Sequence, residues 1–87
     1  MTDDEIRDAV LRALVAVAPE ADPATLRFDL ELRDQLDLDS MDSLNFAVGI
    51  HEELGVDIPE SEWARLQTLH EVVEYLARAL SRAQEPQ

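Results

Sequence analysis

The sequence has no cysteine, no lysine, only two glycines and only four Phe, Trp and Tyr residues together. Without cysteine there is neither a disulfide framework nor a thiolate metal site. Any sulfur chemistry must therefore use a sulfur supplied from outside the chain. Scarce glycine in a chain that is 46% apolar argues for a compact helical domain rather than a disordered tail. Positive charge is also scarce: seven Arg face twenty Asp and Glu, for a formal net charge of −13. Phosphate-backbone binding needs a basic surface, so nucleic acid is excluded as a partner, and anionic membranes repel such a chain. Long apolar runs are missing as well. The longest, Ala13 to Ala18, is far too short to span a bilayer. The opening Met1-Thr2-Asp3-Asp4-Glu5 is acidic, where a signal peptide is basic. No membrane insertion and a cytoplasmic location are expected.

What is abundant is negative charge. A partner with a basic patch is its natural complement, because attraction speeds encounter. The plainer alternative is that the acids only keep a small protein soluble. At 87 residues the chain makes one domain, expected over residues 1–82, with 83–87 a frayed tail. A monomer is expected.

Four segments read as helices, giving an all-α fold: a small four-helix bundle of three longer helices and one short one. The first runs from about Asp3 to Ala18, with Ile6, Val10, Ala13, Leu14 and Val17 at helical spacing. Its three leading acids suit the positive end of the helix dipole, and Pro19 follows its stop. A long loop, Pro19 to Asp39, separates it from the second helix. Twenty residues is long for a structureless connection. Leu26, Phe28, Leu30, Leu32, Leu36 and Leu38 suggest that the loop is pinned to the core, with a short helical turn within it. The second helix spans Ser40 to Leu54 and stops at Gly55. Val56-Asp57-Ile58-Pro59 is extended, a short helix fits Glu60 to Leu66, and the last helix runs from Thr68 to about Arg82. Thr68 and Glu71 have capping-box spacing.

The second helix has two apolar stripes on a helical wheel. Phe46, Ile50 and Leu54, with Ala47, lie on one side; Met41, Leu44 and Val48 lie nearly opposite, with acids between. One stripe suffices to join a small core. The other is either buried by the long loop or left exposed as an acid-edged docking surface. Periodicity alone leaves both possibilities open.

Leu38-Asp39-Ser40-Met41-Asp42-Ser43-Leu44 opens this helix and Gly55-Val56-Asp57-Ile58-Pro59-Glu60 follows it. Together they resemble the acyl carrier protein family, with Asp-Ser-Leu at the start of the second helix and an Ile-Pro segment after it. The resemblance implies 4′-phosphopantetheine, taken from coenzyme A by a phosphopantetheinyl transferase and joined to a serine hydroxyl as a phosphodiester. Its thiol would hold an acyl group as a thioester for acyl-transferring or acyl-elongating enzymes with basic patches. The carrier itself would not be an enzyme. Two serines compete for the attachment. Ser43 better matches Asp-Ser-Leu locally, but Ser40 has the family's separation from Ile58; Ser43 would leave the helix three residues short. Ser40 is therefore favoured, with a plain N-cap as its alternative role.

By the same resemblance, Asp39 matches the acid before the modified serine, and Asp42 and Glu52 match partner-binding acids. Met41, Leu44 and Val48 match exposed positions of the recognition helix. Phe46, Ile50, Leu54, Ile58, Leu66, Val72, Tyr75 and Leu76 match core positions that part to admit an acyl chain. Asp37, Asn45 and His51 depart from the common fatty-acid carriers. They favour a specialised fatty-acid, polyketide or lipid-modification pathway.

Other readings are weaker. Neither serine has a histidine nearby in sequence to activate it. Asp37, Asp39 and Asp42 cluster, but Met41 and Asp42 stand where a calcium loop needs an oxygen ligand and a glycine, so no metal site is expected. Trp63 and Tyr75 read as core residues. An unmodified acidic helical adaptor is the alternative of a different class. An aminoacyl or peptidyl carrier is the nearest rival within this one, although the Gly-Gly run more usual there is absent.

Overall fold

A computed structural model describes residues 2–84, which form α1 (Asp3–Val17), α2 (Leu32–Gln35), α3 (Ser40–Leu54), a 3₁₀ turn (Glu60–Arg65) and α4 (Leu69–Gln84). Among these residues there is no strand, only a single isolated bridge between Glu31 and Thr68. The fold is all-α as expected. The short helix expected at Glu60 to Leu66 is a 3₁₀ turn, and the helical turn expected in the long loop is α2.

Each long helix has a defined start. Thr2 and Glu5 cap α1 reciprocally: the Glu5 N–H donates to Thr2 Oγ1 at 3.2 Å, and the Thr2 N–H donates to Glu5 Oε1 at 3.1 Å. Thr68 and Glu71 do the same for α4, at 3.1 Å in both directions. Gly55 ends α3 in the left-handed region at φ 71°, a conformation that a side chain at that position would strain. α4 continues two residues past the expected end at Arg82, through Ala83 and Gln84. The rest of the expected tail, 85–87, lies outside the described residues.

α1 is the spine of the bundle, packing against both α3 and α4. It buries Ile6, Ala9, Val10, Ala13 and Leu14, and these meet Ile50, Leu69, Val72 and Leu76 in one core. Such burial of apolar surface is the main favourable contribution to folding. The α1–α3 contact is close: a methyl group on Gly49 would lie 3.2 Å from Ala13 Cβ. At the surface of that contact the Arg12 guanidinium grips the Glu53 carboxylate, with Nη2 to Oε2 at 3.0 Å and Nε to both oxygens at 3.3 Å.

The long connection is pinned, as its apolar residues suggested. Leu32 is buried, and Leu26, Phe28, Leu36 and Leu38 pack against the core; Leu30 is the exception, at 45% exposure. The Gln35 side chain clamps the loop on itself, accepting from the Arg27 N–H at 2.7 Å and donating to the carbonyls of Arg27 and Leu30. Arg7 of α1 lies 4.4 Å above the Phe28 ring, within cation–π range. Backbone bonds from Leu32 N to Gln67 O and from His70 N to Phe28 O then tie the loop to the start of α4.

Candidate functional site

The start of α3 is built by Asp39. Its extended backbone (φ −92°, ψ −175°) makes it the N-cap. Its carboxylate accepts from the Asp42 N–H at 2.8 Å, while the Asp42 carboxylate accepts from the Asp39 N–H at 3.3 Å. Ser40 is thus the first residue inside the helix, not its cap, and the N-cap alternative considered for it is corrected: Asp39 fills that position. Ser40 is exposed. The N–H groups of Ser40 and Met41 belong to the first turn, where a helix has no internal acceptors and the positive end of its dipole emerges. Ser43, one turn on, is half-buried and faces a cavity instead.

The two stripes of α3 separate in space. Phe46 and Ile50 are buried and Leu54 is half-buried. Met41, Leu44 and Val48 are 62%, 44% and 46% exposed. The long connection therefore leaves the second stripe uncovered. Of the neighbouring acids, Glu52 is exposed and Asp42 is half-buried at the cap. Glu53 is held by Arg12, whose hydrogen bond keeps the carboxyl below its ordinary pKa and in turn raises that of Arg12.

Behind the buried stripe lies a cavity of about 310 Å³. Five of the eight expected cavity residues line it: Phe46, Ile50, Ile58, Leu66 and Val72. Leu54, Tyr75 and Leu76 are not part of its wall. Leu76 is fully buried in the core, and Tyr75 lines a separate groove with Arg65, Arg78 and Arg82. Leu32, Leu38, Ala47, Trp63 and Ala64 complete the apolar wall. Trp63 is half-buried, as a core reading anticipates, and its Nε1–H donates to Ile58 O at 3.2 Å. Its place in the wall was not anticipated. It follows from the 3₁₀ turn folding back beneath the extended Ile58-Pro59, a tertiary arrangement that no local pattern signals.

Among the described residues, no group of three or more His, Asp or Glu is placed to hold a metal ion. No helix there is long and apolar enough to cross a membrane.

A family profile described as "Phosphopantetheine attachment site" matches residues 9–76. An acyl carrier protein of Campylobacter hominis is 33% identical over 73 residues, covering 84% of this chain and 86% of the relative. One from Thermosynechococcus vestitus is 32% identical over 76 residues, covering 87% and 93%. Another, from Treponema pallidum, is 32% identical over 66 residues, covering 76% and 85%. The chain belongs to the acyl carrier protein family. Acyl carrier proteins bear a covalently attached 4′-phosphopantetheine and deal with phosphopantetheinyl transferases and acyl-handling enzymes as carriers. The structure fits such a group: a serine hydroxyl stands in solvent at a helix N-terminus, where backbone N–H groups and the dipole favour an added phosphate.

Proposed function

We propose that Ser40 bears the phosphopantetheine and that the chain presents an acyl group, bound through it, to partner enzymes. When bound, the arm supplies a thiol that holds the acyl group as a thioester, the sulfur that the sequence lacks. The single observation carrying this is the division of labour at the start of α3. Asp39 caps the helix, so Ser40 stands exposed at the first helical position with its hydroxyl open to a transferase. Ser43 is half-buried in the cavity wall, and its distance to Ile58-Pro59 is three residues short of the family's. Asp39 keeps the helix start in place, and the N–H groups of the first turn would hold an attached phosphate.

Docking is assigned to the exposed stripe of Met41, Leu44 and Val48, with Asp42 and Glu52 meeting a basic patch. Apolar residues edged by like charge are the usual anatomy of such a surface. Desolvated Met and Leu side chains supply affinity, and the acids supply rate and orientation. The protein acts as a monomeric, non-catalytic carrier in the cytoplasm. Asp37, Asn45 and His51, all exposed, lie on or beside the recognition helix and alter the surface that partners read. They support a specialised fatty-acid, polyketide or lipid-modification pathway.

Intact-mass measurement after incubation with coenzyme A and a broad-range phosphopantetheinyl transferase tests the assignment. One phosphopantetheine should be gained by the wild-type protein and by Ser43→Ala, and none by Ser40→Ala. A gain that persists in Ser40→Ala would refute the choice of serine. No gain in any of the three would return the chain to the unmodified-adaptor reading.

A further inference from the structure

We infer that Trp63 sets the upper length of the acyl cargo, and that the cavity behind α3 takes hydrocarbon chains of medium length. This rests on attachment at Ser40. The cavity opens along the helix that Ser40 begins: Ser43, Phe46, Ala47 and Ile50 form one side of it. An apolar cavity of about 150 Å³ is large enough for benzene, with six carbons. At about 310 Å³ this one holds on the order of a dozen non-hydrogen atoms by the same measure. Allowing for the thioester end, that corresponds to acyl chains of about eight to ten carbons.

The chemistry of the wall selects plain hydrocarbon. None of the buried side chains in the described residues is polar or charged, and none leaves a buried polar atom without a partner. Besides the half-buried Ser43, the polar lining residues are Arg33 and Gln67, both exposed, and the Arg33 guanidinium is turned to Glu31 Oε2 at 2.9 Å. They form a rim. A chain with a charged or strongly polar far end would be desolvated inside with only the Ser43 hydroxyl as a partner.

Trp63 is the largest side chain in the wall, and among its apolar residues it is the one whose side chain is tethered by a hydrogen bond. Its only polar atom donates to Ile58 O. Swinging the indole aside to lengthen the cavity would break that hydrogen bond. Phe46 and Leu66 have no such restraint and can shift rotamer. The indole therefore acts as a fixed stop, where an aliphatic residue would be a movable one.

Trp63 is also the only tryptophan in the chain, so it reports on its own role. The test loads Ser40 with acyl-phosphopantetheine arms of two to sixteen carbons from the corresponding acyl-coenzyme A, each loading verified by mass. Trp63 emission and the rate of thioester cleavage by hydroxylamine are then read. In the wild-type protein, emission should begin to shift at intermediate lengths. Protection of the thioester should rise by about fourfold per added methylene group, then level off at about eight to ten carbons. Trp63→Ala should move the plateau to longer chains, and Trp63→Phe should leave it nearly in place. If Trp63→Ala does not melt cooperatively, Ala47→Leu provides the converse, a plateau at shorter chains. Protection independent of chain length, or still rising at sixteen carbons in the wild-type protein, would overturn the inference. So would a plateau unmoved by both Trp63→Ala and Ala47→Leu. No mass gain at Ser40 would overturn the attachment itself, and the inference with it.

Discussion

Asp39 and Asp42 cap one another: each carboxylate accepts the other's backbone N–H, at 2.8 and 3.3 Å. Two acids side by side would repel, but here each oxygen is directed at a donor of the helix start. Asp39→Ala should remove about 1 kcal/mol of stability, and for a domain of this size lower the melting temperature by about 4–8 °C. Asp39→Asn keeps an acceptor and should lose much less. Thermal unfolding followed by circular dichroism separates the two.

The close approach of α1 and α3 at Gly49 sets two opposing effects against each other. Alanine there gains about 1 kcal/mol in helix propensity, but its methyl group would sit 3.2 Å from Ala13 Cβ. Gly49→Ala should consequently change stability by less than about 1 kcal/mol. Gly49→Val has no room and should cost about 1–3 kcal/mol through overpacking. Urea denaturation midpoints of the two variants check this.

Val48 and Ile50 are two residues apart and should respond oppositely to truncation. Val48 is 46% exposed and Ile50 is 1% exposed. Val48→Ala should leave stability within about 0.5 kcal/mol, whereas Ile50→Ala should cost about 2–5 kcal/mol. Equal losses in denaturant titrations would mean that the outer stripe is covered after all.

The Arg12–Glu53 pair makes part of the stability depend on pH. Glu53 is held below its ordinary pKa of 4.5, first by the hydrogen bond from Arg12. A carboxyl whose pKa is depressed on folding contributes stability above its unfolded pKa and loses it as pH falls through the folded value. Acid sensitivity from this pair should therefore appear below about pH 4.5 and be reduced in Glu53→Gln. Unfolding midpoints measured from pH 7 down to pH 3 for both proteins give the comparison.

Where the chain is governed by local chemistry, the sequence was easy to read. The limits of α3 followed from Ser40 and Gly55, and the start of α4 followed from Thr68 and Glu71. The box of Thr2 and Glu5 has the same spacing and is legible by the same rule. The Asp39–Asp42 cap was hidden for a different reason. Asp and Ser are both good N-caps, so adjacent candidates could not be ranked without the backbone angles. What periodicity could not supply was the far side of each contact. The exposure of Met41, Leu44 and Val48 depends on where the long connection lies. The Arg12–Glu53 grip joins residues 41 apart in sequence. The tether of Trp63 to Ile58 O depends on the return of the 3₁₀ turn, and Tyr75, although one turn on from Val72, lines the groove beside Arg78 and Arg82.

The bridge between Glu31 and Thr68 has a consequence for how the molecule opens. It fastens the two ends of a loop that contains Ser40, the exposed stripe of α3 and most of the cavity wall, while α1 lies outside. The clasp should open before α3, which is held to α1 at Gly49 and by Arg12–Glu53, is released. The amides of Leu32 and His70, whose bonds form the fastening with Gln67 and Phe28, should exchange with deuterium at a shared free energy, below that of the α1 core. Partial opening of the clasp, with the spine intact, would then loosen the cavity wall at Leu32, Leu66 and Gln67 without global unfolding.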